Sequence, residues 1–334
     1  MKRAQFFACF LTSVVWIGFR SGHRINTSSG PDTVRRFDIN HSSNLSLALG
    51  DATIVTAYFE FPSKHTHAEY TEWMQNMLSL QDPMVIFTTL DKQAMIYRMR
   101  KHALNQTLVV VTQLEDTEVV RSYGMEFWTS QHNQDPWHAI HPDPRIYVVW
   151  NEKISFVHKS IALNPFASSH FIWMDIGFLR HNLYNSRRLI TDATPFAEDR
   201  VLTLDITAMS ANFFYDRFTV NENRLCGNLF GGTTVAMETY HSEYQKTLAM
   251  DIAMSQFVGV DQIEMWRTCQ RVPTLCNIVK VNPRCGEMWR TCYRVQNQVH
   301  RVVNWSFITN NPDDQDPWFS MVPFLLGMTR LHND

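Results

Sequence analysis

A chain of 334 residues with 45% hydrophobic content is long enough for one large α/β domain or two smaller ones, and that excludes disorder over most of its length. A net charge of −2, a pI near 6.7 and scattered Lys and Arg give no basic field for nucleic acid and no polyanionic tail. Aromatic residues make up 13%, including 10 Trp; they fill a large core, and exposed Trp and Tyr are also the side chains that stack on sugar rings.

Lys2-Arg3 precede an apolar run from Ala4 to Phe19, closed by Arg20. As a helix the run would span roughly 24 Å, short of a typical ~30 Å hydrocarbon core. It reads as a cleaved signal peptide or an uncleaved signal-anchor, and the lack of an A-x-A-like site after it favours the anchor. Basic residues flank it on both sides (Lys2 and Arg3 against Arg20 and Arg24), so charge does not fix the orientation. Acceptor sequons start at Asn26, Asn40, Asn44, Asn105 and Asn304, three of them just behind the leader in a polar segment poor in periodicity. The expected organisation is therefore an anchor at 1–20, a flexible stem at 21–50 and a globular domain at 51–334. The address is the secretory pathway, ER or Golgi membrane, single-pass type II with the domain in the lumen. Cys226, Cys269, Cys276, Cys285 and Cys292 remain for the lumen. An odd number leaves one thiol over, and the last four are expected to form disulfides, with three pairings open. No C-x-x-C spacing suggests zinc.

In chain order, ATIVTAYF (Ala52–Phe59) predicts a buried first strand, and Glu69–Leu80 a helix with Tyr70, Trp73, Met77 and Leu80 on one face. Met84–Thr88 predicts a strand, Lys92–His102 a helix and Leu108–Thr112 a third strand. Strands alternating with helices of this length signal a parallel sheet. Trp128–Pro144 reads as an irregular insertion rich in His and Pro. Val201–Leu204 is a short strand and Leu225–Met237 a strand-like run with Gly227, Gly231 and Gly232. The pair Gly231-Gly232 marks either a tight turn or a backbone that must clear a ligand. Ala236–Met254 is a long amphipathic helix carrying Tyr240, Tyr244 and Leu248, and Asp261-Gln262 opens the next element.

The chain is organised around YVVWNEKISFVHKSIALNPFASSHFIWMDIGFLR, Tyr147–Arg180. Ile154, Val157 and Ile161 form an apolar helix face, with Lys153 and Lys159 expected to reach solvent. Asn164-Pro165 stops that helix. His170–Met174 is an apolar run suited to a central strand, and Asp175 follows at its carboxyl end, where α/β sheets bind ligands. The plain alternative is an Asp that caps a turn.

No P-loop, G-x-G-x-x-G, G-x-S-x-G or H-E-x-x-H occurs, which removes most nucleotidase, dehydrogenase, hydrolase and metalloprotease readings. VTAYFE, Tyr70-x-x-Trp73 before DPMVIFTT, NEKISFVHKSIALNPF, FIWMDIGFLR and GNLFGG together resemble the HtrL/YibB family from about residue 52 to 262. That family resembles glycosyltransferases of the GT-A fold. The resemblance implies a mixed, mainly parallel α/β sheet flanked by helices, with Lys153, Asp175, the Gly231-Gly232 strand and Asp261-Gln262 in the order found in glycogenin-type enzymes. It implies a nucleotide-sugar donor and a glycan or glycoconjugate acceptor as partners, no nucleic acid, and Asp175 and Asp261 as catalytic residues. Lys153, Arg180, Gly231 and Gly232 fall at the donor. A D-x-D would put two carboxylates on Mn²⁺ or Mg²⁺, but Asp175-Ile176-Gly177 supplies one. Either Asp261 or His300 completes a metal site on Asp175, or Lys153 or Arg180 compensates the charge. The alternative function is a lumenal carbohydrate-binding or regulatory protein that kept the fold without transfer. EMWRTCQRV (264–272) and EMWRTCYRV (287–295) are near-identical, and two short copies are too few to stack, so they read as a local duplication or a gene-model error.

Overall fold

The β-branched run ATIVTAY forms β1, Ala52–Tyr58, buried along its whole length. In this computed structural model the described residues are 52–136, 138–180, 199–205 and 225–282, a few between 182 and 196, and the backbone of strands at 292–295, 298–302 and 329–332. The apolar leader, the stem and the sequons at Asn26, Asn40, Asn44 and Asn304 lie outside them. Asn105 is described and is exposed, in a short 3-10 turn. Among the described residues no helix is long and apolar enough to cross a membrane.

Helix α1 (His67–Leu78) starts where Thr66 and Glu69 cap each other: Thr66 Oγ1 accepts from Glu69 N at 3.2 Å, and Glu69 Oε2 accepts from Thr66 N at 2.7 Å. Then come β2 (Met84–Thr88), α2 (Leu90–Met99) and β3 (Thr107–Val111). The expected irregular insertion is largely helical instead. It opens inside α4 (Met125–Gln134), which follows the short α3 (Glu118–Tyr123). Trp128, fully buried, donates Nε1–H to Val119 O at 3.2 Å, which pins α4 to α3. The long α5 (Arg145–Leu163) ends at Asn164, whose φ of 27° takes the chain out of the helix ahead of Pro165. Strand β4 (His170–Met174) follows, then β5 (Val201–Asp205), β6 (Leu225–Thr233), α6 (Thr234–Ala253), α7 (Asp261–Arg271), β7 (Cys276–Asn282), β8 (Cys292–Val295), β9 (Gln298–Val302) and β10 (Thr329–His332).

The strands lie in the order β10-β9-β8-β7-β5-β6-β4-β1-β2-β3. From β7 to β3 the sheet is mainly parallel: β1 pairs in parallel with β2 and β4, β2 with β3 and β5 with β7, while β6 runs antiparallel between β4 and β5. Beyond β7 the added strands are all antiparallel, extending a central sheet that is mixed and mainly parallel, as expected. Alternation along β1 divides the core. Ile54 and Tyr58 face α1 and α2; Val55 and Ala57 face the layer of α3 to α7, where Ile154, Val157 and Ile161 are buried as the helical spacing predicts.

Cys269 at the end of α7 is bonded to Cys276 at the start of β7, one bond of the expected framework, and buried Cys226 keeps its thiol outside any disulfide among the described residues. Burial pushes that thiol up to about 12, which keeps it protonated and unreactive. The chain-entropy model gives about 2–3 kcal/mol for a loop this short. Replacing Cys269 and Cys276 by Ser is expected to lower the unfolding free energy by about that amount, measured as a shift in the denaturant midpoint at unchanged slope.

Candidate functional site

Strands β1, β2 and β3 step away in one direction, and the chain then returns to place β4 on the other side of β1. The carboxyl ends of β1 and β4, at that reversal, are where open α/β sheets take their ligands. Asp175 stands there. Its N–H donates to Asn228 O of β6 at 2.9 Å and its C=O accepts from Phe178 N at 2.8 Å, so the turn that leaves β4 is fixed from both sides. Its side chain is 37% exposed. Oδ1 accepts from Trp173 Nε1 at 2.7 Å, a contact that follows from residues two apart sharing one face of a strand. Among the described residues nothing donates to Oδ2.

Lys153 departs from its expected solvent exposure. Its side chain is 5% exposed, with Nζ 3.1 Å from Asp175 Oδ1, 2.9 Å from Asp261 Oδ2 and 2.9 Å from the Gly227 carbonyl it donates to. Lys159, in contrast, is half-buried and pairs with the buried Glu152 at 2.5 Å. Burial alone would lower the Lys153 pKa; the two carboxylates outweigh it and hold the ammonium well above its usual range. Asp261 is raised, first by its own burial and also by Asp175, with Lys153 pulling it back. Asp261 sits in the first turn of α7, where Oδ1 accepts from Gln262 N at 3.0 Å. The helix is positioned by Gln262 Nε2 donating to Leu225 O of β6 at 2.6 Å. Asn151 of α5 donates to Gly259 O at 3.1 Å just ahead of it.

The structure thus joins Asp175, Lys153 and Asp261, which sequence order alone placed on three separate elements. The glycine beside them is Gly227: a Cβ there would lie 2.7 Å from Asp261 Oδ2 and 3.1 Å from Gln262 Cγ. Gly227→Ala is expected to push Asp261 off the ammonium, lowering stability by about 1–3 kcal/mol and measurable as a fall in Tm. The Gly231-Gly232 pair is accounted for differently. A Cβ on Gly231 would lie 2.7 Å from the Phe171 carbonyl oxygen, and one on Gly232 would be 3.1 Å from both Ala236 Cβ and the Arg200 carbonyl oxygen. Gly231 is paired with Ile172, roughly 10 Å along β4 from the level of Asp175, and close strand and helix packing accounts for both glycines.

Arg180 lies over Trp73, its Cζ 3.3 Å from the ring centroid, with Tyr70 and His65 edge-on to the same indole. Trp73 also closes over the turn after Asp175, where the Cβ position of Gly177 is 3.4 Å from Cε3. A second feature gives no signal in sequence. Residues that follow β1, β2 and β3, namely Phe59, Glu60, Thr89, Asp91, Lys92, Gln113, Leu114 and Glu115, enclose with Arg145 a hollow of about 200 Å³ at the same end of the sheet. Glu60 and Lys92 pair across it, and Arg145 is held by Asp143 at 2.6 Å.

A divalent cation does not fit the described donors. Asp175 Oδ1 and Asp261 Oδ2 face an ammonium, position 177 has no side chain, and only Asp175 Oδ2 is left. His300, considered from sequence, lies on β9, five strands from β4 and roughly 24 Å across the sheet. Among the described residues no group of three or more His, Cys, Asp or Glu is placed to hold a metal ion.

Fold and site together define a mixed α/β protein with a polar, ion-paired centre at its sheet crossover and no common catalytic signature. The chain belongs to the HtrL/YibB family, whose profile, described as "Bacterial protein of unknown function (HtrL_YibB)", matches residues 50–295. No curated protein matches the chain. Among solved structures, mouse xyloside xylosyltransferase 1 in its apo form is similar over 68% of this chain and 84% of its own, at 8% identity and a TM-score of 0.39. Likeness at that level says nothing about substrate.

Proposed function

We propose that this protein is a glycosyltransferase of GT-A type that moves a sugar from a nucleotide-diphosphate donor to a glycan or glycoconjugate acceptor. The observation that carries the reading is the carboxylate of Asp175: partly exposed at the sheet crossover, fixed by Trp173 and Lys153, and with no donor to Oδ2 among the described residues. The hollow over β1 to β3 is lined by Phe59 and by the acids Glu60, Asp91 and Glu115, with Lys92 and Arg145 paired to Glu60 and Asp143, a lining that suits the base and ribose hydroxyls better than phosphate. In transfer, the bond from the anomeric carbon to the diphosphate breaks and a bond to the acceptor oxygen forms, with the acceptor hydroxyl proton passing to a phosphate oxygen of the departing nucleoside diphosphate. Asp175 Oδ2 orients a reacting hydroxyl by accepting its hydrogen bond, and Arg180, stacked on Trp73, faces the charge on the departing diphosphate. Lys153 and Asp261, both buried, are positioning residues that hold Asp175 in place.

We place the domain in the lumen of the secretory pathway, on a type II anchor. The charged and apolar leader, the sequon cluster, exposed Asn105 and the Cys269–Cys276 bond support that address. One feature favours a second reading, a carbohydrate-binding protein without transfer: Gly177 leaves Asp175 as a lone acid. Incubating the full-length protein with a panel of nucleotide sugars and acceptor glycans separates the two. Release of nucleoside diphosphate that depends on acceptor supports transfer; glycan binding with no release from any donor supports the second reading.

A further inference from the structure

Lys153 Nζ has three protein oxygens around it, from two carboxylates and a backbone carbonyl, at 3.1, 2.9 and 2.9 Å. Hard divalent cations are held by this oxygen chemistry, and each oxygen would need to move in by less than about 1 Å to reach the ~2.0–2.6 Å of such an ion. A second observation marks the point as a cation position rather than an ordinary hydrogen-bonding site. Asp261 Oδ2 is buried, lies 2.9 Å from the ammonium and has no other partner among the described residues, so the tethered charge is what holds it there. Gly227 shapes the same point twice, by giving its carbonyl to the ammonium and by lacking the Cβ that would displace Asp261.

We infer that Lys153 is a built-in cation occupying a three-oxygen site formed by Asp175, Asp261 and Gly227, so that the protein takes up no divalent ion there, and that removing the ammonium opens the site to one. Carboxylates on β4 and α7 then stay together through a covalently tethered charge that chelators cannot extract. Its consequence for donor binding, that the nucleotide is held without metal, rests on the function proposed above; the cation site itself does not.

The test is a Mn²⁺ titration of the full-length protein, followed by loss of the free-ion electron paramagnetic resonance signal. Wild type is expected to take up no ion saturably, and Lys153→Ala to take up one per chain, lost again in Lys153→Ala/Asp175→Asn. Should Lys153→Ala be too unstable to titrate, its melting temperature is read with and without Mn²⁺; a rise confined to the variant supports the site. A wild type that binds Mn²⁺ and loses it with Asp175→Asn overturns the inference, as does a folded Lys153→Ala that binds none. In parallel, UDP affinity is measured in EDTA and in Mn²⁺, with agreement within about twofold expected. Affinity that collapses in EDTA overturns metal independence but upholds the nucleotide reading. No UDP binding in either buffer counts against the nucleotide reading and leaves the Mn²⁺ titration to decide the cation site.

Discussion

Asp175→Asn is expected to reduce nucleoside diphosphate release by about 100–1,000-fold in kcat/KM, the scale of losing one preorganised electrostatic contact in a reacting site. The substitution keeps an oxygen for Trp173 Nε1 and keeps the backbone bonds to Asn228 and Phe178. What it removes is the charge. With the side chain more than a third exposed and Asp261 still beside Lys153, the fold loses at most about 1 kcal/mol, as for other partly solvated ion pairs. A large loss of turnover at nearly unchanged Tm is therefore the signature of a group that touches substrate. A parallel drop in both would assign Asp175 to structure.

Lys153→Met is expected to give the opposite pattern, a stability loss of about 3–5 kcal/mol because Asp261 is left buried without its cation. At roughly 2–4 °C per kcal/mol for a domain of this size, Tm falls by about 10 °C. The pH dependence identifies the cause. The folded-state pKa of Asp261 is raised above its unfolded value of 3.8, first by burial, and removing Lys153 raises it further. The folded form then holds a proton that the unfolded chain gives up at neutral pH, so stability falls as pH rises through this window and returns as pH drops toward 3.8. The gap between wild type and Lys153→Met should narrow in acid when followed by chemical denaturation. A gap constant from neutral pH to pH 4 would show that lost packing, not an uncompensated carboxylate, causes the destabilisation.

Much of the sheet was legible because its signals are local. β2 and β4 fall on the residues their apolar runs mark, Met84–Thr88 and His170–Met174, each opening after a break in the pattern. The apolar face places the start of α1 two residues late, and the Thr66-x-x-Glu69 spacing is the signal that reading missed. Helix α4 was not: only Trp128 and Gln131 are buried along it, so its periodicity is too thin to separate helix from loop. The near-duplicate segments show how far context overrides sequence. Cys269-Gln270-Arg271 ends helix α7, whereas Cys292-Tyr293-Arg294-Val295 is strand β8.

The site divides along the same line. Asp175 was legible because an acid at the exit of a buried strand is a local pattern with a spatial meaning. Burial of Lys153 was not, since amphipathic spacing assigns any Lys on a helix to solvent. Only the arrival of Asp175 from β4 and Asp261 from α7 makes burial tolerable. Gly227 and the pair Gly231-Gly232 look alike on the page. Their difference is a matter of which atom stands where a Cβ would go: a carboxylate for the first, strand and helix for the others.

The most direct measurement of the central claim is a crystal structure of the protein with a nucleoside diphosphate bound, collected without added metal. The account predicts the diphosphate at the carboxyl ends of β1 and β4, its base and ribose toward the hollow beside Phe59, and Asp175 Oδ2 facing the space vacated by the sugar. A nucleotide lodged elsewhere, or one that reaches Asp175 only through a bound divalent ion, would contradict it.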